Sequence, residues 1–187
     1  QANTAADTAL LALDSNYISA SLGVFSGDAF ANIGTKVYSG QLYQIVDTDI
    51  QYLTNDQVKN IAPNQISELS HAQIIGLKDT QVPALTLDQV RQLTSDQLNV
   101  MQGADLLKLT TQQITALNAA TQVANLTAAQ INLLDSNQIQ ALTVGQVQQL
   151  KESQLDGLDN DSLVALTTKQ IQSLDPSSQI ATWDDTQ

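Results

Sequence analysis

Apolar and polar residues recur along most of this chain with a period of eight. From residue 126 to residue 173 the sequence reads LTAAQINL, LDSNQIQA, LTVGQVQQ, LKESQLDG, LDNDSLVA and LTTKQIQS. Each octad has Leu at position one, usually a small polar residue at position two, usually Gln at position five and Ile, Val or Leu at position six. The other four positions vary. The pattern therefore defines a repeat unit whose four recurring positions need a common explanation.

These four positions match the start of a helix. With Thr127 as the N-cap residue, Gln130 falls at N3, which is the spacing of a capping box. Leu126 and Ile131 then occupy the N′ and N4 positions of a hydrophobic staple. Because an N-cap residue has non-helical backbone angles, a new start every eight residues requires that the previous helix has ended. The octads therefore predict helices of about two turns, six to eight residues long, separated by bends at the Thr positions.

Two other structures fit the period less well. In one continuous helix the apolar stripe would rotate by about 80° per octad and would give no lasting face. A β-solenoid needs period-two alternation, which is missing. Helices shorter than about twelve residues are marginal alone, so the octad helices must stack on their neighbours. The predicted fold is all-α, an α-solenoid with one short helix of about two turns per eight-residue repeat.

The repeat covers most of the chain. Octads start at every eighth residue from Val37, and the series ends at Leu174; the unit at residues 117–125 has one extra residue, and a second slip follows Leu174. We predict two parts, a non-repeat segment at residues 1–36 that docks or caps, and a repeat domain at residues 37–187 with a short C-terminal tail. Position one is apolar in every unit, whereas position two tolerates Lys78. Core burial is therefore the stricter requirement.

Composition and charge narrow the partners. The 187 residues are 42% hydrophobic, enough for a core, and carry a formal net charge of −12. This charge disfavours nucleic acid, whose binding depends on Lys and Arg, and also anionic membrane surfaces. The chain has no cysteine, and no apolar run approaches the ~18 residues of a membrane span. Because the chain starts at Gln1, we interpret it as a processed product whose signal peptide is already gone.

The sequence predicts no catalytic residue, no cofactor and no metal site, and we expect a protein that is not an enzyme. His71 is the one histidine, and with no cysteine beside it we interpret it as a surface residue. The acidic stretches at residues 47–49 and 156–161 leave calcium binding open, although neither fits an EF-hand loop and Asp159 is better explained as an N-cap. Glycosylation at the sequons of Asn125 and Asn160 also stays open.

The aromatic residues lie at the two ends of the chain. Six of them fall in the first 52 residues, and Trp183 lies near the other end. Aromatic side chains anchor many contact surfaces, but they also serve as core residues of non-repeat ends. A repeat array exposes apolar surface at each end, and two different ends that meet form a heterologous contact that propagates. We therefore predict a subunit interface that contains Tyr17, Phe25, Phe30, Tyr38, Tyr43, Ile180 and Trp183.

The octads LTTQQITA, LTAAQINL and LTTKQIQS resemble tandem repeats of large secreted surface proteins of Gram-negative bacteria, of the adhesin and repeat-rich exoprotein kind. The resemblance covers residues 37–174 and implies an extracellular or cell-surface location with a structural or adhesive role. Our hypothesis is a non-enzymatic extracellular structural protein, the subunit of a head-to-tail filament or surface fibre. The alternative is a monomeric repeat segment of an adhesin that binds glycan or protein on its lateral surface.

Overall fold

In the computed structural model, which describes residues 49–101 and 103–183, all regular secondary structure of these residues is helical. The prediction of an all-α fold is confirmed for this part of the chain. Two 3-10 helices span Asp49–Tyr52 and Val123–Asn125. The α-helices are α1 (Asn55–Lys59), α2 (Pro63–Ile66), α3 (His71–Ile75), α4 (Leu87–Gln92), α5 (Ser95–Val100), α6 (Gly103–Leu106), α7 (Thr111–Ala116), α8 (Ala128–Ile131), α9 (Ser136–Ala141), α10 (Val144–Val147), α11 (Glu152–Asp156), α12 (Asn160–Ala165) and α13 (Thr168–Gln172).

Most of these helices begin at a capping box. Thr143, which has extended backbone angles, precedes α10, and its hydroxyl accepts from the backbone N–H of Gln146 at 3.2 Å. In return, Gln146 Oε1 accepts from the backbone N–H of Thr143 at 2.7 Å. Both bonds also form at Thr54, Ser70, Thr86, Thr94, Thr110, Thr127, Asp135 and Thr167. The predicted role of positions two and five at the helix start is therefore confirmed.

The helices are shorter than the predicted two turns. They contain four to six residues instead of six to eight. Each octad needs two consecutive extended residues at its start, as at Leu142 (φ −57°, ψ 126°) and Thr143 (φ −68°, ψ 155°). These two residues leave at most six for the helix, and α9 ends where the backbone N–H of Leu142 donates to the carbonyl of Ile139. The bend at each Leu-Thr pair thus limits helix length.

The units that start at Leu77, Leu117 and Leu174 contain no α-helix, so the expectation of one helix per repeat is wrong at these units. Residues 79–84 form turns, in a unit where Pro83 disfavours helical backbone at the residue before it. The nine-residue unit at 117–125 forms a turn and then the 3-10 helix. There the backbone N–H of Val123 donates to the carbonyl of Asn118, five residues back, because the extra residue widens the turn.

The chain divides into two compact units, Gln1–Gln92 and Leu93–Gln187. In the first unit α2 packs on α4, which starts 24 residues later. In the second unit α8 packs on α11, and α10 on α13, again with starts 24 residues apart. Helices therefore pack on the helix three octads away. The predicted boundary between residues 36 and 37 lies outside the described residues and stays a prediction.

Most of the core side chains of the described residues occupy positions one and six. Leu142 and Val147 show the pattern within one octad, since both side chains are buried. Burial of each such side chain contributes about 1.5–3 kcal/mol. Most of the buried positions in the described octads are therefore those that the sequence pattern predicts.

Packing between α8 and the end of α11, three octads apart, is tight at one glycine. A Cβ added to Gly157, which follows α11, would lie 2.6 Å from the Cβ of Ala128 at the start of α8. In contrast, a Cβ added to Gly145 in α10 meets no atom within 4 Å. These two glycines therefore form a matched pair, one at the close contact between α11 and α8 and one in open space.

We expect Gly157→Ala to destabilise the protein by about 1–3 kcal/mol, because two packed segments must separate to admit the new methyl group. Gly145→Ala should stabilise it by about 0.5–1 kcal/mol, since alanine favours the helix without a clash. Urea denaturation monitored by circular dichroism measures both changes. Equal effects of the two substitutions would contradict the close packing of α8 against the end of α11.

Candidate functional site

The main polar feature of the core is a row of glutamine side chains at position five. Their positions follow the octads along the described chain, and each side chain is buried. We call this row the glutamine ladder, and its members are Gln57, Gln65, Gln73, Gln81, Gln89, Gln97, Gln113, Gln122, Gln130, Gln138, Gln146, Gln154, Gln170 and Gln179. A buried amide is costly unless its polar atoms find partners, so the ladder must be explained by its hydrogen bonds.

We call three successive octads one turn of the chain. The amide nitrogens of the ladder donate to backbone carbonyls of the turn before their own. In the first unit, Gln81 Nε2 donates to the carbonyl oxygens of Leu53 at 2.7 Å and Ile50 at 2.9 Å. In the second unit, Gln146 Nε2 donates to the carbonyls of Ile114 and Leu117, both at 2.8 Å. Corresponding bonds start from Gln89, Gln122, Gln130, Gln138, Gln154, Gln170 and Gln179. The acceptors lie 28 to 32 residues earlier in the chain.

Glutamine suits this position because its two ends have different roles. The Oε1 atom accepts from the N-cap backbone N–H of its own octad, and the NH₂ group donates to carbonyls of the previous turn. Glutamate could form the first bond but has no proton for the second when ionised. A capping box accepts Glu as readily as Gln, yet no octad has Glu at position five. That bias was the signal in the sequence for this second role, which the sequence analysis missed.

The ladder continues across both register slips. In the nine-residue unit, Gln122 Oε1 accepts from the backbone N–H of Asn118 at 2.6 Å, and Nε2 donates to the carbonyl of Leu93 at 2.6 Å. The extra residue lies between cap and glutamine, and Asn118 Oδ1 closes the widened turn by accepting from two backbone N–H groups. Gln179 has the same relation to Asp175. The predicted slip of the repeat at both places is confirmed.

Position five is Asp49, Asp105 or Ser162 instead of glutamine in three octads, and the octad with Ser162 replaces the ladder with a different bond. Ser162 occupies position five, is buried, and bonds to Asp159. Here the side chain of Asn132, on the turn below, makes the connection: its Nδ2 donates to the carbonyl of Gly157 at 3.0 Å and its Oδ1 accepts from the N–H of Asp159 at 3.1 Å. The turns remain joined, but at a point nearer the surface.

Gln65 is the ladder member whose buried Nε2 has no hydrogen-bond partner among the described residues. The spacing of 28 residues seen at Gln81 and Gln89 would place its acceptor at residue 37. That residue lies outside the described part of the chain.

The titratable groups of the described residues form no cluster of three or more that could hold a metal ion. His71 is exposed, as predicted. Asp159 caps α12, also as predicted, and the donated backbone N–H and side-chain bond of Ser162 lower the pKa of its carboxyl group. Bonds from the Ser177 hydroxyl and backbone lower the pKa of Asp175 in the same way. No helix among the described residues combines the length and the apolar character needed to cross a membrane.

The predicted interface residues fall in two groups. Tyr17, Phe25, Phe30, Tyr38 and Tyr43 lie outside the described residues, so their part in an interface stays a prediction. Ile180 and Trp183 are described, and both side chains are partly exposed near the end of the repeat. The indole nitrogen of Trp183 is buried and has no hydrogen-bond partner among the described residues.

Comparison with protein-family models, curated proteins and solved structures finds no match to this chain.

Proposed function

We propose that this chain is a non-enzymatic extracellular structural protein, and that copies of it join head to tail into a filament or surface fibre. In this proposal the octads form an α-solenoid with three octads in each turn. The glutamine ladder is the observation that carries it, because nine of its side chains join one turn to the turn before it.

The hydrogen bonds of the ladder suit a protein whose role is mechanical. Gln146 holds its own helix start through Oε1 and the previous turn through Nε2, so one side chain fixes both the bend and the stacking. Gln170 repeats this arrangement one turn later, through the carbonyls of Ile139 and Leu142. A hydrogen bond in a buried, fully partnered network contributes about 0.5–1.5 kcal/mol, and the contribution recurs at each octad whose glutamine bonds to the previous turn. Such an array gains stability by adding turns.

The resemblance to secreted repeat proteins supports an extracellular or cell-surface location. It equally suits the second candidate, a monomeric adhesin segment that binds glycan or protein on its side. Aliphatic side chains exposed at variable positions, Leu107 and Leu133 among them, favour that candidate because they could contact a ligand. The two candidates differ in whether the pure chain associates with itself.

Size-exclusion chromatography with light scattering, together with negative-stain electron microscopy, tests the proposal on the intact chain. We expect the molar mass to increase with concentration and extended particles of constant width to form. Because like-charged subunits repel, added salt should strengthen the association. A chain that remains monomeric at every concentration and salt level would favour the adhesin segment instead.

A further inference from the structure

The side chains at position six show where the described repeat is left uncovered. From Ile50 to Leu155, every described residue at this position is at most 2% exposed. The next three octads break the rule: Leu163 and Ile180 are partly exposed and Ile171 is 45% exposed. In the second unit a buried position six belongs to an octad with another octad packed three units later, as for α10 and α13. The last three octads have no such cover among the described residues.

The backbone of the same three octads has unused acceptors. In eight earlier octads the position-one carbonyl accepts a glutamine Nε2; these are Leu53, Ile61, Leu93, Leu109, Leu117, Leu126, Leu142 and Leu150. The carbonyls of Leu158, Leu166 and Leu174 accept no side-chain amide from any described residue. We call this surface the tail face: these three carbonyls together with Leu163, Ile171, Ile180 and Trp183.

We propose that the tail face binds a second copy of this chain, which stacks on it as a further turn. This inference rests on the proposed function and identifies one contact surface between the subunits. A partner must bring apolar side chains for Ile171 and Ile180 and amide donors for three carbonyls at octad spacing. Octads of this chain meet both needs, as Gln170 and Gln179 do within the second unit.

The chemistry of the tail face also sets the orientation of the second copy. The face offers acceptors, so two tail faces brought together would set carbonyl against carbonyl. The contact is therefore heterologous, and the second copy approaches with a different surface, one that presents amide donors. Heterologous contacts of this kind propagate into open chains unless the rotation closes a ring.

Two isoleucines of equal exposure test the site. Ile171 on the tail face is 45% exposed, and Ile75, at the variable position seven of α3, is 43% exposed. We expect Ile171→Asp to raise the concentration needed for association by about tenfold or more, because a charge would enter an apolar contact. Ile75→Asp should associate like the unchanged chain. Sedimentation velocity measures association, and circular dichroism establishes that each variant is folded.

The single tryptophan gives a second measurement that needs no substitution. Because Trp183 lies on the tail face, its fluorescence should shift to shorter wavelength and resist acrylamide quenching as the unchanged chain associates. If Ile171→Asp unfolds the protein, the Trp183 fluorescence of the unchanged chain shows whether the tail face becomes buried on association. Association without a change at Trp183, or equal association of unchanged chain and a folded Ile171→Asp variant, would overturn the tail face while leaving self-assembly intact. An unchanged chain that never associates would overturn both proposals.

Discussion

Replacing Gln146 by glutamate is expected to destabilise the protein by about 3–5 kcal/mol at neutral pH. Gln146 is 2% exposed, and its Nε2 donates to two carbonyl oxygens of the previous turn. A carboxylate of the same shape still accepts the hydrogen bond from the backbone N–H of Thr143. Its second oxygen, however, would face the carbonyl oxygens of Ile114 and Leu117 and repel them. Two buried carbonyls lose their donor, and a buried charge gains no partner. Urea denaturation monitored by circular dichroism measures the loss.

Gln148→Glu is the matched control, since it makes the same chemical change two residues away at an exposed position. A new charge at the end of α10 should cost no more than about 0.5 kcal/mol. If Gln146→Glu were as mild as this control, the joining role of the ladder would be refuted. The capping bond alone could not account for a loss as large as the one expected.

Leu142→Ala is expected to destabilise the protein by about 2–5 kcal/mol, through lost burial and the cavity left behind. Leu142 occupies position one and is 4% exposed, and its carbonyl accepts from Gln170 on the next turn at 2.8 Å. A backbone shift into the cavity would lengthen that bond as well. The measurement is the free energy of unfolding from urea denaturation.

Thr143→Ala, at the neighbouring residue, removes only the cap and should cost about 1 kcal/mol. The hydroxyl of Thr143 accepts one bond, from the backbone N–H of Gln146. Helices α2 and α11 already start at Ala62 and Lys151, which supply no side-chain cap, and only the glutamine half of the box forms there. Equal losses at Leu142 and Thr143 would mean that burial and capping do not differ in this fold.

Features that depend on a few neighbouring residues were predicted from the sequence. The capping box at Thr143 and Gln146 spans three residues, so the spacing of the two side chains is enough to identify it. The slip at Gln122 was visible because one added residue displaces Gln and Val together. The predicted helix length was too great because the pattern marks where a helix starts, whereas the end depends on the extended backbone of the next octad, as at Leu142.

For the described residues, the sequence by itself determined where each octad bends, which residues cap most of the helices and which apolar positions supply most of the core. All three follow from local chemistry, since a cap, a staple and an apolar face act within one octad. Only the tertiary structure decided that the packing partner is the third octad and that Gln146 joins two turns. The partner depends on the angle between successive helices, which is the sum of small backbone rotations at each Leu-Thr bend. No motif within eight residues encodes that sum.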